Sequence, residues 1–128
     1  MLGIENLCVS YGESQVLWDV DLHVPEGQVV CLMGRNGVGK TTLLKSVMGL
    51  LRPRSGAITL RGKPLTALST DRRARQGIGY VPQGRDIFPD MTVLENLRIG
   101  LVAQGLPAAT IPDDIFDLFP VLQTMLHR

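Results

Sequence analysis

The sequence predicts an α/β protein in which an antiparallel β region comes first and a buried strand, a glycine-rich turn and a helix follow. Two observations lead to this fold class. Apolar and polar residues alternate in the first part of the chain, whereas residues 28–33 form a continuous apolar run. Alternation is typical of a half-exposed antiparallel strand, and a solid apolar run is typical of a strand buried on both faces.

The first predicted element is an antiparallel pair of strands. Residues 2–9 are expected to form one strand, residues 11–14 a turn, and residues 16–24 the second strand. In the second strand, the alternation places five side chains on the buried side: Val16, Trp18, Val20, Leu22 and Val24.

The run QVVCLM over residues 28–33 predicts a central parallel strand, and a helix is expected to follow from Lys40. Gly49 is a suitable stop for that helix. The helix has four apolar residues at helical spacing: Leu43, Leu44, Val47 and Met48. Residues 57–60 (AITL) predict a short strand.

A short polar helix is expected over residues 69–77, and residues 78–82 (IGYVP) predict a second buried strand. Arg72, Arg73 and Arg75 are interpreted as the solvated face of that helix. Residues 92–95 then give the start of another helix.

In this later helix, Thr92 and Glu95 form a capping-box pattern, in which each residue satisfies a free amide of the other. One face of it is predicted to be buried, through Val93, Leu94, Leu97 and Leu101. A last helix is expected over residues 113–119, ending before Pro120.

The charge balance excludes some classes of function. The chain has 13 Lys and Arg against 12 Asp and Glu, for a net charge of +1. This argues against broad polyanion binding, so we expect phosphates to bind only at a focused site. No stretch approaches the ~20 apolar residues of a membrane span, and the start of the chain has no secretory pattern. These features favour a cytosolic protein.

A phosphate-binding loop is the most specific motif. The pattern G-x-x-x-x-G-K-[ST] is matched by Gly34, Arg35, Asn36, Gly37, Val38, Gly39, Lys40 and Thr41. Glycines let successive amides point at phosphate oxygens, and the helix N-terminus adds partial positive charge. Lys40 is expected at the β- and γ-phosphates, Thr41 at Mg²⁺ and Thr42 at the α-phosphate. The sequence therefore predicts a nucleoside-triphosphate site.

The loop alone leaves kinases, GTPases, helicases and transport ATPases open. No N-K-x-D stretch is present to read guanine. Tyr11 is the candidate for recognising the base, because an exposed ring there could stack on adenine. Alternatively, Tyr11 is an ordinary aromatic residue in a turn.

Taken together, these residues resemble the nucleotide-binding subunit of ABC transporters. Residues 7–65, from LCVSYGESQ through GRNGVGKTTLLK to RGKPL, follow the first part of that family in order, and GIGYVPQGRDIFPDMTVLENL resembles its glutamine-loop region. GRNGVGKTTLLK and YVPQGRDIFP are most similar to the ATPases of branched-chain amino-acid importers, particularly the urea and short-amide branch.

The resemblance implies roles for single residues. Tyr11 would stack on the adenine of ATP, Gly34 to Thr42 would hold the phosphates, and Gln83 would approach Mg²⁺ and the attacking water. Lys40 and Gln83 are then the catalytic candidates, with Thr41 and Gln83 as candidate Mg²⁺ contacts. Gln83 alone would be interpreted as a solvated loop residue.

The resemblance also implies partners and a location. Transmembrane permease subunits would contact the surface near Ile87 and Phe88, although these two side chains could instead fold back onto the core. A second ATP-binding subunit would complete the nucleotide sandwich, and a periplasmic binding protein would act indirectly. No nucleic-acid partner is expected. The subunit would be peripheral, at the cytoplasmic face of the inner membrane.

The family's second half is not matched, because neither an LSGGQ-like signature nor a Walker B strand ending in Asp-Glu occurs. The fold prediction is therefore a P-loop NTPase core of ABC type, truncated before those motifs. Its expected regions are 1–27 (antiparallel β), 28–83 (P-loop core to the glutamine loop) and 84–128 (start of a helical subdomain). Two buried-type strands would keep open edges.

The expected function is the ATP-binding subunit of an importer of branched-chain amino acids or of urea and short amides. These 128 residues are expected to bind ATP without hydrolysing it efficiently. Two alternatives stay open. One is a soluble ABC-type ATPase acting on nucleic acid or the ribosome, and the other is a small-molecule kinase.

Overall fold

The structure, a computed structural model, describes residues 1–84, 86–107 and 111–128. Arg85, which belongs to the glutamine-loop motif, lies outside the described residues. The chain divides into two compact units, Met1–Arg73 and Ala74–Arg128, and each is described by itself.

The first unit is built on an antiparallel sheet with strand order β2-β1-β3-β4. Its strands are β1 (Leu2–Tyr11), β2 (Ser14–Val24), β3 (Ser55–Leu60) and β4 (Lys63–Pro64), and its helix is α1 (Lys40–Met48). A further helix, α2 (Thr70–Arg75), begins at its end. The buried side chains come from the sheet, from α1 and from the turn after β4: Ile4, Leu7, Val9, Leu17, Leu43, Val47, Met48, Ile58, Leu60 and Leu65. Hydrophobic burial therefore fixes α1 against the sheet.

The predicted hairpin of β1 and β2 is confirmed, but its register shifts at three points, one of which is a bulge in β2. The partner of Leu7 is Val20 and the partner of Val9 is Leu17, so β2 carries one extra residue at this point. Asp19 takes a left-handed φ of 43° within the bulge. The bulge breaks the predicted alternation, so Leu17 is buried and Trp18 is 70% exposed. The prediction that Trp18 faces the core was wrong for this reason.

Neither of the two predicted buried strands forms in the described part of the chain. Residues 28–33 and 78–82 have no regular secondary structure, and neither segment belongs to the sheet of the described residues. Val29 is 98% exposed and Val81 is 90% exposed. A strand buried on both faces requires hydrogen-bonded neighbours and covering layers. The described part of the chain pairs no strand with either segment, so several of their apolar side chains, such as Val29, Met33 and Val81, stay in solvent.

The second unit contains α3 (Val93–Ala103), α4 (Asp113–Leu118) and α5 (Pro120–Met125). The predicted capping box at the start of α3 is confirmed. The face of α3 that was predicted to be buried is only half-buried, and no residue of α3 is fully enclosed. Pro120 ends the predicted helix but also begins α5, since proline is well tolerated in the first turn of a helix. Within the described ranges, no helix is long and apolar enough to cross a membrane.

Candidate functional site

The predicted phosphate-binding loop lies directly before α1. Three of its glycines have left-handed backbone conformations, with φ values of 154° at Gly34, 84° at Gly37 and 104° at Gly39. Side-chain-bearing residues rarely adopt such values. The glycines therefore let residues 34–39 curl tightly, which is the conformation that turns backbone amides toward a bound anion.

The N-terminus of α1 is available to an anion. Its N-cap residue is Gly39, which has no side chain that could cap the helix. No acidic residue occurs in the first turn. An uncapped helix start has several backbone amides without helical partners and about half a unit of positive charge. The glycine loop and this helix terminus together form a suitable site for phosphate oxygens.

Lys40 is held over the loop that precedes it. Its ammonium donates hydrogen bonds to the carbonyl oxygens of Gly34 and Arg35, each at 2.6 Å. An ammonium group has three donors, so one donor can still be directed at a ligand. The structure thus brings the predicted phosphate-binding cation together with the first residues of the loop.

The two threonines that follow Lys40 are placed differently. Thr41 is exposed, whereas Thr42 is only 6% exposed and accepts a hydrogen bond on its carbonyl oxygen from the hydroxyl of Ser46 at 2.8 Å. A hydroxyl oxygen is a hard ligand of the kind Mg²⁺ prefers, so Thr41 fits its predicted role chemically. Arg35, Asn36 and Val38 are exposed.

The end of the loop packs on the β1–β2 hairpin. A Cβ atom at Gly39 would lie 2.6 Å from Cδ2 of Leu17, so any larger residue would force the buried Leu17 side chain to move. Leu17 pairs with Val9, and Tyr11 is the exposed last residue of β1, two positions further along. At about 3.4 Å per residue, the Tyr11 backbone lies roughly 7 Å along the strand from Val9, the partner of Leu17. The fold therefore anchors the loop near the hairpin end that carries Tyr11.

The net charge of +1 conceals a strong segregation of charge along the chain. Eleven of the 13 Lys and Arg residues lie within residues 27–85, together with only one of the 12 acidic residues, Asp71. The phosphate-binding loop thus belongs to a basic part of the chain, which favours attraction of a triphosphate. Sequence reasoning from total composition overlooked this distribution, although counting by segment would have revealed it.

Arg73 departs from its predicted place on a solvated helix face. It is 1% exposed, and its guanidinium donates to the carbonyl oxygens of Ser46, Val47, Thr66 and Leu68 at 2.7–2.9 Å. Burial lowers the pKa of Arg73 from its ordinary value. The arginine therefore holds the C-terminal end of α1, whose other end carries the phosphate-binding loop.

Gln83 lies in the second unit, in an irregular segment after Pro82, and its side chain is exposed. Its predicted approach to Mg²⁺ and water stays a prediction.

Asn96 organises the loop that follows, and sequence reasoning missed it. Its side-chain nitrogen lies within 3.0–3.1 Å of the carbonyl oxygens of Phe88, Met91 and Thr92. Its side-chain oxygen accepts a hydrogen bond from the amide of Phe88 at 3.0 Å. This amide group holds the loop in a defined conformation, which presents Ile87 and Phe88 to solvent.

A cleft of about 620 Å³ lies beside this loop, lined by residues that include Ile87, Phe88, Leu97 and Leu122. Both Ile87 and Phe88 are mostly exposed, so neither side chain is folded onto the core of this unit. Apolar clefts with exposed aromatic rims are typical of sites that receive a partner's apolar anchors.

The chain is similar to known transport proteins. It is 37% identical over its whole length to a probable branched-chain amino acid transport ATP-binding protein, LivF, of Archaeoglobus fulgidus, and covers 55% of that protein. It is 44% identical over 76% of its length to the lipopolysaccharide export system ATP-binding protein LptB of Haemophilus influenzae, and covers 40% of it. The chain thus spans about half the length of these relatives.

Two solved structures are also similar. An ATP-binding subunit of an ABC transporter matches 99% of the chain with a TM-score of 0.85 and 34% identity, and the chain covers 53% of it. A dimeric ATP-binding cassette in a post-hydrolysis state, bound to ADP and Pi, matches 81% of the chain with a TM-score of 0.71 and 30% identity, and the chain covers 48% of it.

The family model described as ABC transporter matches residues 17–125. This range includes the phosphate-binding loop, the segment with Gln83 and the capping box of α3. The fold, the loop and the relatives agree, and the chain belongs to the ABC transporter family.

Proposed function

We propose that this chain binds ATP with Mg²⁺ at the loop Gly34–Thr42 and forms the nucleotide-binding part of a transporter ATPase. One observation carries the proposal. The Lys40 ammonium is held by the carbonyl oxygens of Gly34 and Arg35 over a glycine loop that leads into an uncapped helix. A cation, converging amides and a helix N-terminus are the groups that a triphosphate requires.

Each part of the site has a defined task in this proposal. The amides of the loop hold the phosphate oxygens, Lys40 neutralises charge on the β- and γ-phosphates, and Tyr11 stacks on adenine. When bound, Mg²⁺ would supply positive charge that offsets the negative charge of the phosphates. Thr41 and Gln83 would hold that ion through their oxygen atoms.

Hydrolysis is proposed for the whole subunit, with Lys40 and Gln83 as its catalytic residues here. Phosphoryl transfer to water requires a clamped triphosphate and an oriented water. This sequence contains no LSGGQ-like signature and no Asp-Glu pair after an apolar run. We therefore expect these 128 residues to bind ATP and to turn it over slowly.

The proposed process is import of branched-chain amino acids, which the similarity to LivF supports. Urea or short amides are the other proposed substrates. The permease subunits would insert a short helix at the cleft beside Ile87 and Phe88, because apolar anchors fit such a groove. A second ATP-binding subunit would close over the nucleotide, and a periplasmic binding protein would deliver the substrate. The subunit would then be peripheral, at the cytoplasmic face of the membrane.

Calorimetric titration with Mg²⁺ and ATP tests the proposal. We expect Lys40→Ala to weaken binding about tenfold or more, because it removes the cation at the β- and γ-phosphates. Lys45→Ala is the matched control, since Lys45 is in the last turn of the same helix. Equal losses in the two variants, or no binding by the unmodified protein, would contradict the proposal.

A further inference from the structure

The turn that carries Tyr11 is held by a distant arginine. The guanidinium of Arg54 donates a hydrogen bond to the carbonyl oxygen of Gly12 at 3.1 Å, across a separation of 42 residues. Gly12 follows Tyr11 directly in the chain. The Arg54 side chain therefore reaches the turn at the residue next to the proposed adenine-stacking ring.

The backbone of Arg54 is itself fixed on β1. Its amide donates to the carbonyl oxygen of Cys8 at 2.8 Å, and the next residue, Ser55, pairs with Cys8. Gly56 approaches so closely that a Cβ there would lie 2.5 Å from the carbonyl oxygen of Asn6. Cys8 is four residues before Gly12, and the long side chain that starts from this fixed position reaches the carbonyl oxygen of Gly12.

The turn requires stabilisation by a residue outside the hairpin. Tyr11 pairs with Ser14 as the last pair of the hairpin, and Gly12 has a φ of 55°, which suits the first central residue of a two-residue hairpin turn. Tyr11, Gly12 and Glu13 are all exposed. The end of a hairpin opens more readily than its middle, so a hydrogen bond from outside the hairpin limits that opening.

We propose that Arg54 is a positioning residue for the nucleobase, one that holds the Tyr11–Gly12 turn in the conformation in which the ring can stack on adenine. The inference rests on the proposed function, in which Tyr11 stacks on the base of ATP. A ring already held in its binding conformation loses less conformational freedom when the base arrives. Removing Arg54 therefore weakens the contribution of the base to ATP affinity and leaves the contribution of the phosphates unchanged.

Arg54 is also a cation, and a general attraction for phosphates would give a different result. Electrostatic attraction acts on any triphosphate, with or without a base. Inorganic tripolyphosphate carries the phosphates without adenine, so comparing it with ATP separates the two effects. Arg52 serves as a matched control, because it has the same charge in the same connection but lines a separate small cleft with Gly49 and Ser69.

The experiment measures the affinities of ATP and of tripolyphosphate, both with Mg²⁺, for five proteins: the unmodified chain, Arg54→Ala, Arg52→Ala, Tyr11→Ala and the double variant that combines Arg54→Ala with Tyr11→Ala. We expect Arg54→Ala to weaken ATP binding about fivefold and to leave tripolyphosphate within about twofold. Retained tripolyphosphate binding also shows that the variant is folded. Tyr11→Ala should give the same pattern, and the double variant should lose little more than either single one.

Three results would overturn the inference. Equal losses of affinity for ATP and tripolyphosphate in Arg54→Ala would show that Arg54 acts only by electrostatic attraction of the phosphates. An unchanged ATP affinity in Arg54→Ala, with a loss in Tyr11→Ala, would show that the turn needs no such hold while the proposed function stands. If the unmodified chain binds neither ligand, the proposed function fails and this inference fails with it.

Discussion

The guanidinium of Arg73 donates a hydrogen bond to the carbonyl oxygen of Ser46 at 2.7 Å, at the C-terminal end of α1. Val47, Thr66 and Leu68 supply three further carbonyl acceptors, and the arginine is 1% exposed. A buried cation on helix C-terminal carbonyls also interacts favourably with the helix dipole. One side chain thus fixes the end of the helix that begins at the phosphate-binding loop.

Replacing Arg73 by Met should lower the free energy of unfolding by about 3 kcal/mol or more, because buried carbonyl oxygens lose their donors. Urea denaturation measures this change. Arg72→Met is the matched control, since Arg72 is exposed and its replacement should change stability by less than about 0.5 kcal/mol. Similar losses in both variants would contradict the described role of Arg73.

Gly39→Ala should destabilise the protein by about 2–3 kcal/mol and weaken ATP binding. The new Cβ would lie 2.6 Å from Cδ2 of Leu17, a buried core residue, and the residue has a φ of 104°. Gly37→Ala shares the positive φ but meets open space, so about 1–2 kcal/mol is expected there. Thermal unfolding of both variants measures the difference, and equal effects would argue against the contact with Leu17.

The capping box of α3 predicts a pH-dependent contribution to stability. Backbone and side-chain hydrogen bonds from Thr92 lower the pKa of Glu95 below its ordinary value of 4.5. The unfolded chain therefore binds this proton more readily. The contribution of Glu95 should be complete above about pH 4.5 and lost as pH falls through the lower folded pKa.

Glu95→Gln tests this dependence, because glutamine can still accept from Thr92 but does not titrate. The stability difference from the unmodified protein should shrink as the pH is lowered from 7 to about 3. Urea unfolding across that range measures it. A difference that does not change with pH would show that the carboxylate makes no such contribution.

Asn96→Asp should loosen the loop over residues 88–92. The variant keeps the size of the side chain but replaces the nitrogen, which faces three carbonyl oxygens, by a carboxylate oxygen. Hydrogen exchange of the amides of residues 88–92 should speed up, while that of β1 stays the same. Unchanged exchange in that loop would show that Asn96 does not organise it.

The features predicted best from the sequence depend on residues close together in the chain. Thr92 and Glu95 are three positions apart, and Gly49 ends α1 by its own φ of 79°. Local backbone preferences decide such features, so the pattern alone identifies them. The loop from Gly34 to Lys40 belongs to the same class.

The features missed depend on contacts between distant residues. Trp18 faces solvent because a bulge in β2 shifts the alternation, and Arg73 is buried because Ser46 and Thr66 offer carbonyl oxygens. The run 28–33 has the composition of a buried strand, but composition does not supply a neighbour for pairing. Sequence pattern therefore predicted the glycine loop and the helix start after it better than the surroundings that support them.

The nucleotide site can be located by titrating isotope-labelled protein with Mg²⁺ and ATP and following the NMR signals of the backbone amides. We expect the largest and earliest shifts at the amides of Gly34 to Thr42, with a second group near Tyr11 and Gly12. These shifts should vanish in Lys40→Ala and persist in Lys45→Ala at the same ATP concentration. Saturating shifts confined to other residues, or no shifts at millimolar ATP, would contradict the claim that this loop is the nucleotide site.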